Sequence, residues 1–176
     1  MDVLRYLAGT KTVGITYGTS PEVLTGYTDA DYSTCRDTRK SRSGFVFILF
    51  GGAVSWSSKL QSVVALSTAE SEYIAAAGAA REGTWLRRVA AEMDILLEGP
   101  LVLHGDNQAA HHLAKNKADK QRTKHIDVAY HFIRQQVDRQ VLQFKFVSTD
   151  YNAADIFTKA LPEVKVLKFS KLMGVC

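Results

Sequence analysis

The sequence predicts an α/β fold, in which a five-stranded mixed sheet is flanked by helices. Two observations predict it. Three strand-like segments separated by loops stand first, which is the pattern of an antiparallel meander. Helical and strand-like segments then alternate, which is the pattern of strands joined by helical crossovers in a covered sheet.

Composition excludes several classes of protein. At 176 residues with 46% hydrophobic residues, the chain has the size of one globular domain, or of one domain with a short extension. No stretch approaches the roughly 18 apolar residues of a membrane helix, so we expect no membrane partner. Cys35 lies in a polar segment and Cys176 is the last residue, so we expect reduced thiols and an intracellular location.

The cations are concentrated in two segments, although the formal net charge is only +4. Residues 36–42 contain four cations and one acid, and residues 115–125 contain five Lys or Arg and one acid. Basic segments around an acidic centre suit a polyanion held over metal ions. Solvated loops would show the same charges, so the charge pattern alone leaves both interpretations open.

The first half of the chain predicts the meander. Residues 1–9 are typical of the end of a helix, and residues 12–18 are compatible with a strand. Residues 23–29 form the first strand of the meander, and the nearly continuous apolar run 44–50 is typical of a buried strand. A pair of glycines then gives a hairpin turn signal, and residues 53–59 form the returning strand.

The second half predicts helices and two further strands. Residues 67–93 form one long helix, because Ser67 and Glu70 fit a capping box and the body is rich in alanine. The later elements are a strand at 100–106, a short helix at 107–116, an amphipathic helix at 125–140, a strand at 141–147 and a last helix that begins within 152–160.

Four acidic residues lie where a predicted strand ends or a helix begins: Asp29, Glu72, Asp106 and Asp155. Each is flanked by apolar or small residues, and an unpaired carboxylate beside a core is costly. Four converging carboxylates are tolerable only around a cation. The pattern therefore predicts a divalent-metal site and phosphoryl chemistry. If the strands that end at Asp29 and Asp106 are parallel neighbours, these two carboxylates are adjacent.

Three other acidic residues compete for these places: Glu70, Asp31 and Asp150. Glu70 and Glu72 point about 200° apart on a helix, and Glu70 already completes the capping box. Glu72 shares a stripe with alanines that let the helix pack closely on a sheet; its alternative is a surface position. Asp29 follows its strand directly, whereas Asp31 falls in the loop. Asp150 is expected to be a turn or cap residue.

Four motifs together resemble a known family. The segment GYTDADYSTCRDTRKSRSGFVFILF comes first, and LHGDNQAA, RTKHIDVAYHFIRQQV and YNAADIFTKAL follow. Over nearly its whole length the chain resembles the ribonuclease H domain of Ty1/copia-type LTR retrotransposon polyproteins. Residues 1–20 resemble the segment that joins the reverse transcriptase to this domain, and residues 21–176 resemble the domain itself.

The resemblance implies a fold, an activity and a metal site. It implies the ribonuclease H-like fold and hydrolysis of the RNA strand of RNA–DNA hybrids during reverse transcription. It implies that Asp29, Glu72, Asp106 and Asp155 bind two Mg²⁺ or Mn²⁺ ions. Asp29 would bridge both ions, Glu72 and Asp106 would hold one, and Asp155 would hold the other. The implied partners are the hybrid and a reverse transcriptase domain upstream in a polyprotein.

Residues around the acidic cluster are expected to contact the nucleic acid, with cations on phosphates and polar groups on 2′-hydroxyls or neighbouring atoms. The expected phosphate contacts are Arg39, Lys40, Arg42, Lys59, Arg122 and Lys124. The other expected contacts are Ser41, Ser43, Ser58, Asn107, Gln108 and His125. The strand context of Trp56 favours a core position over stacking on nucleic acid, and Tyr73 and Tyr130 are also expected in the core.

The sequence departs from the family pattern in the loop before Asp155. Many ribonucleases H carry a histidine there, and this chain has none, so either His125 serves from elsewhere or turnover proceeds without it. The chain also lacks a separate basic protrusion, so we expect weak substrate affinity for the isolated domain. We further expect a monomer in isolation and a location in a cytoplasmic retroelement particle or the nucleus. Two other functions remain open: a non-catalytic hybrid-binding or tethering module, and another metal nuclease of the same fold.

Overall fold

A computed structural model of the chain describes residues 2–18, 23–106 and 124–176, with side chains described at 3–18, 23–106 and 128–176. The helices are α1 (Asp2–Gly9), α2 (Thr68–Glu92), α3 (Lys124–Asp138) and α4 (Glu163–Leu172), with two 3-10 helices at Thr149–Tyr151 and Ala153–Phe157. The strands are β1 (Thr25–Asp31), β2 (Arg42–Leu49), β3 (Gly52–Leu60), β4 (Leu101–Gly105) and β5 (Leu142–Phe146).

The strands form one five-stranded mixed sheet in the order β3-β2-β1-β4-β5. The pairs β1–β2 and β2–β3 are antiparallel, and the pairs β1–β4 and β4–β5 are parallel. This arrangement confirms the predicted meander followed by parallel strands. It places β1 at the centre of the sheet, with the antiparallel strands β2 and β3 on one side and the parallel strands β4 and β5 on the other.

The two faces of the sheet are covered by different elements. Helices α2 and α3 cover one face around a core that includes Phe47, Leu103 and Ile133. The second 3-10 helix and α4 cover the other face, where Val46 and Phe169 are buried. Tyr73 and Tyr130 are buried on the α2 side, which confirms their predicted core positions.

The segment before β1 is tied to the end of the chain. Residues 12–18 form no strand, and Ile15 makes only a single antiparallel bridge to Val175. Main-chain hydrogen bonds run from Gly14 N to Cys176 O (2.9 Å) and from Cys176 N to Gly14 O (3.1 Å).

The last part of the chain differs from the prediction. The predicted helix that begins within 152–160 is a short 3-10 helix, Ala153–Phe157. Pro162 explains this, because proline lacks an N–H donor and disfavours helical backbone in the residue before it. An α-helix that the sequence analysis did not predict, α4, begins after the proline. The helix predicted at 107–116 lies outside the described residues.

Trp56 is not a core residue. Its side chain is 55% exposed, so the core position predicted from its strand context is wrong. Trp56 lies opposite Val46 in the pairing of β2 with β3. Strand β3 is at the edge of the sheet, where only one neighbouring strand is available to cover a large side chain. Among the described residues, no helix combines the length and the hydrophobicity needed to cross a membrane.

Two glycines on α2 differ in what surrounds them. A Cβ at Gly83 would overlap Leu101 and would lie 2.8 Å from Phe47 Cε1, so the absence of a side chain lets the helix approach the sheet. A Cβ at Gly78 would meet no atom within 4 Å. The approach at Gly83 fixes the height of α2 over β4.

We therefore expect Gly83→Ala to lower the free energy of unfolding by about 1–3 kcal/mol, because of overpacking. Gly78→Ala, the matched control in the same helix, should raise it by about 0.5–1 kcal/mol through helix propensity. Urea unfolding followed by circular dichroism measures both. Equal effects of the two substitutions would contradict the close packing at Gly83.

Candidate active site

Three carboxylates meet at one edge of the sheet. Asp29 lies in β1, Asp106 directly follows β4, and β1 and β4 are parallel neighbours. Glu72 reaches the same place from the first turns of α2. One carboxylate oxygen from each of the three residues lies within 4.8 Å of the others. This geometry is consistent with the prediction that Asp29 and Asp106 are adjacent.

Glu72 is held at the site by the packing of α2. Ala76 and Ala79 on the same helix are buried against the sheet, so the backbone comes close to β1. Glu72 is only 7% exposed, which rules out the alternative of a surface position. Its carboxylate lines an open cleft of about 410 Å³ together with Asp106 and Lys159.

Burial and like charges disfavour the ionised form of Glu72. Desolvation is the largest cause, and the negative charges of Asp29 and Asp106 add to it, so the pKa of Glu72 rises to about 9. A hydrogen bond from the Ala30 backbone and the charge of Lys159 only partly oppose this rise in pKa. Without a further cation, the three carboxylates are not all charged at neutral pH.

Asp155 lies beside this group and is joined to it through Lys159. The Lys159 Nζ atom lies 3.2 Å from both Asp29 carboxylate oxygens and 3.5 Å from Asp155 Oδ1. Burial raises the pKa of Asp155 to about 6, with a contribution from the charge of Asp29. Burial opposes the protonated form of Lys159, but the two carboxylates outweigh burial, so its pKa is raised.

Hydroxyl and amide groups orient the carboxylates. Thr158 Oγ1 donates a hydrogen bond to Asp29 Oδ2, and Thr149 Oγ1 donates to Asp106 Oδ2 at 2.8 Å. Asn152 Oδ1 accepts from Ala154 N, as predicted for a cap, while Asn152 Nδ2 donates to Thr28 O at 3.0 Å. Asn152 therefore fixes the turn that carries Asp155 onto the strand that carries Asp29.

Sequence reasoning missed Thr158 and Lys159. The only signal for Lys159 was its position four residues after Asp155, which on a helix places two side chains on one face. Such a pair is usually a solvated ion pair, so the spacing alone is no reason to select Lys159. The 3-10 turn and the proximity of β1 bring this lysine onto two buried carboxylates.

The donor atoms fit a hard divalent cation. All of the grouped ligand atoms are carboxylate oxygens, which are the ligands that Mg²⁺ and Mn²⁺ prefer. Asp155 Oδ1 is buried, and its described polar neighbour is the Lys159 ammonium group at 3.5 Å, outside hydrogen-bond geometry. A divalent cation bound at this edge would stabilise this carboxylate and the ionised form of Glu72.

The competing acidic residues have other roles. Glu70 N donates to Ser67 Oγ at 3.1 Å, as the capping box predicts, and the Glu70 carboxylate accepts from Leu66 N. Asp150 lies in the first 3-10 helix with its carboxylate 2.9 Å from Lys165 Nζ. The hydrogen bond and charge of Lys165 lower the pKa of Asp150. Asp31 is the last residue of β1 and not a loop residue.

Four of the expected nucleic-acid contacts already form hydrogen bonds within the protein, among them Ser43, whose Oγ accepts from Gln61 Nε2 at 2.9 Å. Ser41 is 0% exposed and its Oγ accepts a hydrogen bond from Ser33 N, so the prediction that its side chain contacts nucleic acid is wrong. The buried hydroxyl instead shapes the loop between β1 and β2. Arg42 Nη1 donates to Ser58 Oγ at 3.3 Å, and Ser58 Oγ donates to Phe157 O at 2.6 Å.

The remaining expected contacts fall into two groups. Arg39, Lys40 and Lys59 have side chains that are exposed or partly exposed near the loop edge of β2 and β3. Asn107, Gln108 and Arg122 lie outside the described residues, and Lys124 and His125 lie in α3 where their side chains are not described.

The chain is similar to transposon polyproteins over almost its whole length. It is 46% identical over 173 residues to the "Retrovirus-related Pol polyprotein from transposon TNT 1-94" of Nicotiana tabacum, covering 98% of this chain and 13% of the relative. It is 39% identical over 174 residues to the corresponding polyprotein from transposon RE2 of Arabidopsis thaliana, covering 98% and 12%. The chain thus spans about an eighth of the length of these curated relatives. No protein-family model matches it.

The fold is similar to solved ribonuclease H structures. An N-terminal RNase H domain from Mycobacterium tuberculosis superposes with a TM-score of 0.55 at 10% identity, covering 84% of this chain and 99% of that one. An RNase H1 isolated from compost by a metagenomic approach gives 0.56 at 17% identity, covering 78% and 94%. The foamy viral protease-reverse transcriptase in complex with an RNA/DNA hybrid gives 0.55 at 14% identity, covering 81% and 19%. The predicted fold and the predicted resemblance to copia-type polyproteins are confirmed.

The raised pKa of Glu72 predicts a pH-dependent stability of the metal-free protein. The pKa is about 9 in the folded state against an ordinary value of 4.5, so folding favours the protonated form. The contribution of this carboxyl group to the free energy of unfolding should therefore be most favourable below pH 4.5. It should fall as the pH rises toward 9. Glu72→Gln should flatten this fall, measured by thermal unfolding in EDTA between pH 5 and 9. The exposed Glu98→Gln is the control, and an equal flattening by it would contradict the assignment.

The contacts of Lys159 with Asp29 and Asp155 predict a second effect on stability, one that depends on bound metal. Lys159→Met should lower the free energy of unfolding by about 1–3 kcal/mol in EDTA, because Asp29 and Asp155 lose their cation. In millimolar Mg²⁺ the loss should shrink, since a bound ion would neutralise the same carboxylates. Urea unfolding under both conditions measures this difference.

Lys165→Met serves as the control for this test, because its ion pair with Asp150 is exposed and contributes little. A loss at Lys159 that is the same with and without Mg²⁺ would contradict the view that lysine and metal act on the same carboxylates.

Proposed function

We propose that this chain, a ribonuclease H-like domain homologous to part of copia-type transposon Pol polyproteins, hydrolyses the RNA strand of RNA–DNA hybrids. The observation that carries the proposal is the group of Asp29, Glu72 and Asp106 at the sheet edge, with Asp155 beside it. Grouped carboxylate oxygens are the ligands that hard divalent cations prefer. The foamy viral relative in fold, whose structure contains an RNA/DNA hybrid, supports the choice of substrate.

Two Mg²⁺ or Mn²⁺ ions would activate the attacking water and stabilise the leaving 3′ oxygen, giving 3′-hydroxyl and 5′-phosphate products. Asp29 is the residue suited to contact both ions, because it lies between Glu72 and Asp106 on one side and Asp155 on the other. Thr158 and Thr149 donate to Asp29 and Asp106, so each carboxylate keeps one oriented oxygen for the site. These hydroxyls hold the ligands in place before substrate arrives.

Lys159 substitutes for part of the cationic charge before metal binds. Its ammonium group lies within 3.5 Å of both Asp29 and Asp155, which offsets part of the negative charge of these two carboxylates in the metal-free protein. A cation that uses both of these carboxylates would have to displace the ammonium. The four-carbon side chain is about one-third exposed, so it has a path to leave the carboxylates.

The surroundings of the domain belong to the same proposal. Because the relatives are polyproteins about eight times longer, we place a reverse transcriptase domain upstream of this one. The foamy viral protease-reverse transcriptase, of which this chain covers 19%, supports a reverse transcriptase in the same polypeptide. The proposed location is a cytoplasmic retroelement particle or the nucleus, with the isolated domain monomeric.

The proposal predicts metal-dependent cleavage of a labelled RNA–DNA hybrid. Asp106→Asn should lower the rate by at least about 100-fold, because loss of one metal ligand removes several kcal/mol of charge stabilisation. Duplex DNA of the same sequence should not be cut. Gel analysis of the products in Mg²⁺, Mn²⁺ and EDTA measures the effect.

The control for this substitution is Asp138→Asn, which removes a carboxylate at the exposed end of α3. Hybrid binding without cleavage by the wild type would favour the tethering module instead. Cleavage of duplex DNA at a similar rate would favour another metal nuclease of the same fold.

A further inference from the structure

Lys159 divides the acidic residues of the active site into two groups. Asp29, Glu72 and Asp106 each offer one carboxylate oxygen within 4.8 Å of the others, and Asp155 is not part of this group. Glu72, Asp106 and Lys159 line the open cleft. Asp155 is only 1% exposed and is not among the described residues that line the cleft. We call the group of three carboxylates the cleft site, and the pair Asp29 and Asp155 the inner site.

The ammonium group of Lys159 lies where an ion of the inner site would bind. The Nζ atom is 3.2 Å from each carboxylate oxygen of Asp29 and 3.5 Å from Asp155 Oδ1. Mg²⁺ binds carboxylate oxygens at about 2.0–2.1 Å, so an ion on Asp29 would lie no more than about 5 Å from Nζ. Two cations that close in a buried place repel each other, so the ion and the ammonium group compete for the inner site.

The backbone holds Lys159 beside the inner site, and only its side chain is free to leave. Lys159 N donates to Asp155 O at 2.9 Å, and Thr158 N donates to the same carbonyl at 3.1 Å. Thr158 Oγ1 also donates to Asp29, which fixes this turn to β1. The Lys159 side chain is 32% exposed and borders the cleft. Rotation of the side chain therefore removes the ammonium group from the inner site without transfer of a proton.

The cleft site does not face the same competition. Among the described residues, no ion pair involves Glu72 or Asp106. A carboxylate has about four lone-pair positions, so Asp29 can contribute one to the cleft site while it keeps its contacts with Nζ. An ion can therefore bind at the cleft site while Lys159 stays in place.

We propose that Lys159 limits the protein without nucleic acid to one bound divalent ion, at the cleft site, because its ammonium group excludes an ion from the inner site. The apparent affinity of the inner site is its intrinsic affinity reduced to the fraction of molecules in which the side chain has left. The inference rests on the proposed function, because it takes the carboxylates as metal ligands. It goes beyond that function by assigning the number of ions bound in the free protein to one lysine.

The first experiment counts bound Mn²⁺ ions in the absence of nucleic acid, from the electron paramagnetic resonance signal of the ions that remain free. The wild type should bind one ion per chain, and a second only at a concentration at least about 10-fold higher, as expected if the side chain is in place nine-tenths of the time or more. Lys159→Met should bind the second ion at least about 10-fold more tightly than the wild type does, because the competing charge is gone.

The control is Lys165→Met, which removes a lysine from an exposed pair with Asp150 and should bind Mn²⁺ like the wild type. Two ions of similar affinity in the wild type would overturn the inference. A single ion in folded Lys159→Met, with its fold checked by circular dichroism, would overturn it as well.

The second experiment locates the additional ion. Two ions that share the Asp29 carboxylate would lie about 4 Å apart, so bound Mn²⁺ in Lys159→Met should show a spin-coupled spectrum. The double variant Lys159→Met/Asp155→Asn should return to one ion and lose this coupling. Two ions in the double variant would place the second ion away from Asp155 and overturn the inference.

A third measurement keeps Lys159 and therefore does not depend on the stability of Lys159→Met. Asp155→Asn should bind its single Mn²⁺ ion like the wild type, because Asp155 is not part of the cleft site. Asp106→Asn should bind that ion at least about 10-fold more weakly, because it loses a ligand of the cleft site. Equal weakening by the two substitutions would contradict the division into two sites.

These measurements separate the role of Lys159 from the proposed hydrolase function. One ion in the wild type and two in Lys159→Met, without cleavage of the hybrid in Mg²⁺ or Mn²⁺, would retain the role of Lys159 and lose the hydrolase function. Cleavage by a wild type that binds two ions without nucleic acid would retain the hydrolase function and lose the role of Lys159.

Discussion

The cost of burying several carboxylates side by side is the constraint on which the rest of the structure depends. Asp29, Glu72 and Asp155 are all buried, and each has a raised pKa because water has been removed from around it. The protein tolerates this arrangement by placing Lys159 between two of them and by leaving the group open to a cleft. An arrangement that costs stability in the metal-free protein is the one expected where a cation is to be bound.

The architecture delivers these side chains from independent directions. The parallel pairing of β1 with β4 supplies two of them, α2 supplies the third from one face, and the second 3-10 helix supplies Asp155 from the other face. Gly44 of β2 allows the last of these approaches, because a Cβ there would lie 2.8 Å from Phe157 Cβ. Helix α2 and the second 3-10 helix therefore pack on opposite sides of β1, the strand that carries Asp29.

Local sequence patterns and the order of the strands were sufficient to predict the sheet and the grouped carboxylates. Glu72 could be chosen over Glu70 because helical periodicity and the cap separated them, and Asp29 could be placed beside Asp106 from the order of the strands. Lys159 could not be selected, since its importance comes from a turn that packs on a strand 130 positions away. The exposure of Trp56 also depends on its strand being at the edge, which apolar content does not reveal. Helix α4 was missed because only Phe169 of its residues is buried, so it carries little periodic signal.

The contact between residues 14 and 176 links the segment before β1 to the segment after α4. Its two main-chain hydrogen bonds join residues that are far apart in the sequence. The segment before β1 is also held by Gly18 N, which donates to Phe50 O, and by the Tyr17 hydroxyl, which donates to Ala53 O. Loss of residues 174–176 would therefore loosen the backbone around Ile15 while residues 17 and 18 stay docked beside the β2–β3 turn. The carboxylates lie elsewhere and would be unaffected.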